Sequence, residues 1–238
     1  MTISDHEVIG RGRNTTVLEG IYDGRSVTIK RCGRSVDNDI LLKKQADAMI
    51  IYDVHPNIVR YIGKEEDPYF TYLCVERCTY NLSDFICQSP LKSKLWTIIG
   101  TTCNSPEPIL YPSALFLQLM RDIVMGLDHL HSKEFVHGNL KPTNILIIEE
   151  IMCAKISLDN CLGCQSKEAI TNGEQTFADD LYSLGRILLF CISNGKCPFA
   201  ESLSEHEMQI ANKQNILLID IVEARDLITR LLNVKAPS

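Results

Sequence analysis

His137-Gly-Asn-Leu-Lys141-Pro-Thr-Asn144 runs straight into the apolar stretch Ile145-Leu-Ile-Ile148, so five polar side chains gather immediately before a buried strand. A second short strand, Ala154 to Ser157, follows the acidic turn Glu149-Glu150. Upstream, Pro112-Ser113 is a helix-start signal, and Leu115, Leu119, Ile123, Leu127 and Leu130 keep helical spacing for about five turns to His131. Downstream, Asp180 opens a helix that is apolar on every face until Asn194-Gly195, the pattern of a buried helix. A final helix is expected over Ile219 to Leu232. Between Cys87 and Pro112 the chain holds four prolines, a lone Trp96 and little periodicity, which predicts a long surface loop.

The first eighty residues have a different texture. Val8-Ile9 leads into Gly10-Arg-Gly12, Val17, Glu19 and Ile21 alternate, and Tyr22-Asp23-Gly24 is a hairpin turn before Val27 and Ile29. Three antiparallel strands result. Leu42, Ala46, Met49 and Ile50 then predict a helix over Asp37 to Asp53, ended by His55-Pro56. Two more strands, Ile58 to Ile62 and Phe70 to Val75, bracket the turn Glu65-Glu-Asp-Pro68.

Composition narrows the function classes. With 238 residues, 45% apolar and 23% charged, the chain has material for one large domain or two small packed lobes. Its net charge of −6 argues against nonspecific binding to nucleic acid or to an anionic membrane surface. The longest unbroken apolar run, Ile187 to Ile192, falls far short of the ~20 residues that span a bilayer. Met1, Thr2, Ser4, Asp5 and His6 carry no signal-peptide pattern, so the expected location is the cytoplasm, or the nucleus. Ten cysteines include a single CxxC, Cys161 to Cys164, without a second pair at zinc spacing, and read as buried free thiols.

Glycines on a hairpin, a strand lysine, a helix and a helical second half stand in the order of parts of a protein kinase. Gly10-Arg-Gly12-Arg-Asn-Thr-Thr-Val17 resembles the kinase glycine-rich loop, Val27-Thr-Ile-Lys30 the strand whose lysine holds the nucleotide phosphates, and His137 to Asn144 the catalytic loop H-R-D-L-K-x-x-N. Asp180-Leu-Tyr-Ser-Leu-Gly185 is similar to the start of the buried helix whose aspartate tethers that loop. His55-Pro-Asn-Ile-Val59-Arg-Tyr, Tyr72 to Cys78, Gly126 to Ser132 and Leu189 to Phe199 resemble the inositol-requiring kinase/endoribonucleases, the unfolded-protein-response sensors, and their plant forms most. The resemblance implies an α+β, two-lobed protein-kinase-like domain over 1–238. A small, mostly β N-lobe with one helix (1–76) precedes a mainly helical C-lobe (77–238) that stops before the family's last helices. It implies ATP held by Gly10, Gly12, Val17, Lys30, the hinge residues Glu76 and Cys78, and Asn144, with Lys141 in the catalytic loop. Magnesium would sit on Asn144 and Asp159. Kinase domains of this family pair back to back, so full-length relatives are the implied partners.

Departures from the family pattern fall where charge is needed. Asn139 occupies the place of the catalytic base, and an amide has no basic lone pair; a general base is worth roughly 10²- to 10⁴-fold. Gly138 replaces the arginine that clasps a phosphorylated activation loop. The glutamate expected opposite Lys30 falls near Gln45, with Asp47 as a possible substitute. Leu158 stands where the magnesium aspartate belongs, and Asp159 serves only if a bulge shifts the strand by one residue. Three readings follow: a pseudokinase that binds ATP and acts through protein contacts, a weakly active serine/threonine kinase, or a truncated relic that folds poorly.

Overall fold

A computed structural model of the chain describes residues 2–11, 15–52, 54–102, 105–158, 176–195 and 222–234. The N-terminal half is a five-stranded antiparallel sheet with spatial order β1-β2-β3-β5-β4, formed by β1 (Thr2–Arg11), β2 (Thr15–Tyr22), β3 (Arg25–Gly33), β4 (Tyr61–Glu66) and β5 (Phe70–Glu76). Asp23 and Gly24 close the β2–β3 hairpin with φ of 50° and 74°, the two left-handed residues that a tight hairpin matching strand twist requires. Helix α1 (Val36–Tyr52) crosses between β3 and β4 and packs on β4 and β5.

The C-terminal half is mainly helical. Helix α2 (Leu82–Gln88) starts at Asn81, whose side chain accepts from the Asp84 amide, and a 3₁₀ turn over Pro90–Leu95 is capped by Ser89. Helix α3 (Ala114–Ser132) buries Phe116, Leu119, Ile123, Leu127 and Leu130 and is capped by Ser113. Helices α4 (Phe177–Ile192) and α5 (Val222–Leu232) pack on each other. A three-stranded sheet, order β10-β9-β6, joins β6 (Tyr80–Asn81), β9 (Ile145–Ile148) and β10 (Cys153–Ile156).

Three expectations need correction. The stretch read as a surface loop holds the 3₁₀ turn and an antiparallel hairpin, β7 (Trp96–Thr102) with β8 (Ser105–Pro112). Its base is anchored: Leu95 is buried and Trp96 meets Phe116 edge-on at 5.5 Å. The strand placed at Ile58 to Ile62 begins instead at Tyr61, because Ile58 makes a parallel bridge to Ile156 in the C-terminal sheet. Among the six described cysteines, Cys32, Cys74 and Cys191 are buried, Cys78 and Cys153 are partly so, and Cys87 is exposed. The Cys161 to Cys164 pair lies outside the described residues.

One backbone junction unites the halves. Asn57 O accepts from Ile156 N at 2.8 Å, Val59 N donates to Ile156 O at 3.0 Å, and Asn57 Nδ2 donates to Ala154 O at 3.0 Å. Gly126 lets α3 approach this seam, since a Cβ there would stand 2.7 Å from Asn57 O. The main hydrophobic core runs through it, from Met49, Leu73 and Val75 to Leu127, Ile145 and Leu189. Alongside, the His55 and His129 rings stack with centroids 4.7 Å apart, and Asn57 N donates to His55 Nδ1. Burial and then the neighbouring His129 lower the His55 pKa. A histidine harder to protonate folded than unfolded costs stability as pH falls through the unfolded value near 6.5. The melting temperature is therefore expected to drop between pH 7.5 and pH 5.5. His55→Asn, which keeps an acceptor for Asn57 N–H, should flatten that slope in pH-scanned melts.

Candidate functional site

Register aligns three of the expected site residues on the N-terminal sheet. Gly10 pairs with Val17, Val17 with Lys30 and Lys30 with Leu73, and cross-strand partners share a face of a sheet. Leu73 belongs to the main core on the α1 side, so Gly10, Val17 and Lys30 form one row on that face. A Cβ on Gly10 would meet Val17 at 3.6 Å, an ordinary contact. Lys30 is buried, 8% exposed. Gly12 lies outside the described residues.

The His137 to Asn144 segment is held by a buried polar frame. Asp180, on the first turn of α4 and 1% exposed, accepts from His137 N (2.7 Å) and Gly138 N (2.8 Å) and bonds His131 Nε2 (3.0 Å). Gly138 turns through φ of 68°, the left-handed region open to glycine, which lets successive amides converge on one carboxylate. The His137 ring is oriented at both nitrogens: Nδ1 accepts from Asn139 N at 3.1 Å, which assigns the proton to Nε2, donor to Ser157 O at 2.9 Å. Asn144 Nδ2 donates to Asn139 O at 2.7 Å, and Ser157 N donates to Asn144 O at 2.9 Å. Lys141 opens the 3₁₀ turn Pro142–Asn144, and Pro142 at its start fixes the local φ.

At the hinge, Glu76 ends β5 and its side chain is committed. Oε1 accepts from Arg60 N at 2.6 Å and from Lys155 Nζ at 2.8 Å, so the strand before Leu158 is tied to the hinge by an ion pair largely shielded from water. Cys78 lies two residues on, its thiol 3.9 Å from Glu76 O. Burial, then the Glu76 carboxylate, push that thiol up to about 12 against the opposing pull of Lys155 and Lys30, which leaves it protonated and inert.

A protein kinase domain model matches residues 3–159. The chain belongs to the protein kinase family. It is 40% identical over 249 residues to the serine/threonine-protein kinase/endoribonuclease IRE1 of Oryza sativa subsp. japonica, covering 94% of this chain and 27% of that protein. It is 34% identical over 275 residues to IRE1a of Arabidopsis thaliana, across 97% of the chain and 32% of the relative. An Arabidopsis thaliana protein described as an inactive serine/threonine-protein kinase/endoribonuclease IRE1-like is 31% identical over 265 residues, 94% of the chain and 48% of the relative. The chain thus spans between a quarter and a half of the length of these relatives. The recognition drawn from the catalytic loop and its flanks therefore holds, as does a two-lobed fold with a strand-rich first lobe and a helical second one.

Asn139 is partly buried, its backbone amide donating to His137 Nδ1 and its carbonyl accepting from Asn144 Nδ2. Leu158 is fully buried in the main core. Gln45 is buried on the inner side of α1, whereas Asp47 is exposed. Asp159 lies outside the described residues, and among those described no three of His, Cys, Asp or Glu gather as a metal site. The Lys155–Glu76 tie is the site feature sequence reasoning missed; its only signal was a lysine inside an otherwise apolar strand.

Proposed function

We propose that the chain is a pseudokinase: a kinase-fold protein that takes ATP or ADP into the cleft and acts through protein contacts, with full-length relatives as partners, rather than by phosphoryl transfer. The observation that carries this reading is the contrast at the catalytic loop. The Asp180 frame is complete, while the base position is an amide and the metal position a buried leucine. A nucleotide would lie along the Gly10, Val17, Lys30 row, its phosphates toward Lys30 and its base toward the hinge at Glu76 and Cys78. Magnesium fits less well, because Asn144 is the one described residue at a ligand place with an oxygen to offer. The Arabidopsis relative described as inactive is in keeping with this reading.

Thermal melts of the purified chain with ATP, with and without magnesium or a chelator, test it. At a nucleotide concentration about a hundred times the dissociation constant, binding adds ~2.7 kcal/mol, several degrees for a chain of this size. A rise indifferent to magnesium is expected, and Lys30→Met, which keeps the buried volume, should remove most of it. A rise that needs magnesium, followed by label transfer from ATP to a substrate, would overturn the pseudokinase assignment in favour of a slow serine/threonine kinase.

A further inference from the structure

Helices α3 and α5 both pack on α4, and a groove of about 220 Å³ opens where the three meet. Its floor is buried and takes one residue from each helix, Met120, Leu188 and Ile228. Its rims are apolar too, yet they stand in the open: Leu117 is 44% exposed, Val124 39% and Leu227 51%. A helix flank that faces water ordinarily carries polar residues, and branched apolar side chains on both banks of one depression mark a binding surface.

A single charged side chain borders this groove. Arg121 stands four residues after Leu117 and three before Val124, so it shares their face of α3. The lining is wholly apolar, which means that Arg121 contributes its methylenes and holds its guanidinium at the rim. Among the described residues no carboxylate pairs with it. A hydrocarbon slot that ends at such a cation is complementary to an amphiphile with one anionic end, and a carboxylate matches the guanidinium fork. Size narrows the class further. An apolar cavity of about 150 Å³ takes benzene, so this groove has room for roughly nine carbon atoms. That is one alkyl chain, and too little for the several anchor side chains of a docked peptide helix.

We infer that this groove binds a medium-chain fatty acid of about eight to ten carbons, its chain lying between α3 and α5 and its carboxylate paired with Arg121. None of these residues belongs to the expected nucleotide site, so the inference stands or falls independently of that reading. The groove is open along one side, and the complex is accordingly a weak one, with a dissociation constant on the order of 100 µM.

Titration calorimetry of the full chain at pH 8 with alkanoates from hexanoate to tetradecanoate, kept below micelle formation, tests this. Affinity should rise about two- to fourfold with each added methylene until the groove is filled near decanoate, and then level off. Decyltrimethylammonium carries the same tail under the opposite charge. It should bind about tenfold more weakly, although a chain of net charge −6 attracts it. Arg121→Gln should erase that preference, and Leu227→Gln should weaken decanoate several-fold. Melting curves of both variants should match the parent, since both positions are exposed. No binding of decanoate at about 1 mM, equal binding of the two head groups, a preference that survives Arg121→Gln, or an affinity that keeps climbing to tetradecanoate would each overturn the inference.

Discussion

Asp180→Ala is expected to lower the stability of the fold by about 3–5 kcal/mol, a fall in melting temperature on the order of 10 °C. Three donors converge on this carboxylate from two segments, His137 N and Gly138 N from the catalytic loop and His131 Nε2 from α3. At 1% exposure no water stands ready to replace it. Each buried donor left without a partner costs roughly 1–3 kcal/mol, and a domain of ordinary stability holds only about 5–15 in reserve. Asp180→Asn should fall between the two, because its amide offers one acceptor oxygen and presents an NH₂ group to the remaining donor. Equilibrium urea unfolding of the three proteins gives the comparison. An alanine variant within about 0.5 kcal/mol of the parent would show that the frame is idle.

Leu158→Asp, which puts an aspartate where the family resemblance implies a magnesium ligand, should damage the protein rather than revive it. Leu158 is fully buried among apolar neighbours, and a carboxylate there exchanges hydration for hydrocarbon. The expected cost is several kcal/mol, relieved only by protonation. The sign of the pH dependence follows: a carboxyl group whose pKa is raised in the folded state holds protons that the unfolded chain has released. The deficit should therefore be small near pH 4 and grow as pH rises toward neutrality. Melts at pH 5 and pH 8 check this. A variant as stable as the parent at pH 8, with a new magnesium-dependent shift, would mean that Lys30 reaches the introduced carboxylate and that the chemistry is one substitution away. Asn139→Asp added to Leu158→Asp is expected to yield no transfer activity when the single variant fails in this way.

Where sequence patterning followed burial, the structure was legible. The α3 period, the Asp-Gly hairpin and the Asp180 helix all have one face or one turn dictated by local chemistry. The β7–β8 hairpin was missed because Pro106, Pro108 and Pro112 all fall in β8, and prolines demote a strand unless it lies at an edge. In a two-stranded sheet every strand is an edge. The β4 boundary was misplaced for a related reason. Ile58 and Val59 are apolar because they dock on β10, while Lys64, Glu65 and Glu66 are charged because β4 ends the larger sheet. Helix α2 did carry a signal in Asn81-Leu-Ser-Asp84, a cap residue three before an acid, but seven residues are too few to show a period. At the site, Gly10, Val17 and Lys30 could be proposed from spacing, but only register aligns them. The Glu76–Lys155 pair joins two segments that spacing does not connect, and no local pattern could have named it.

The seam at Asn57–Val59 has a consequence for how the chain is born. Its backbone partners lie at Ala154 and Ile156, so when the first five strands have left the ribosome their floor has not yet been made. At 5–20 residues per second, the wait for β10 is on the order of ten seconds. Through that interval Met49, Ile58, Leu73 and Val75, all fully buried in the finished protein, have no C-terminal half to cover them. A ribosome stalled before residue 153 should therefore present an aggregation-prone chain, however stable the completed one is.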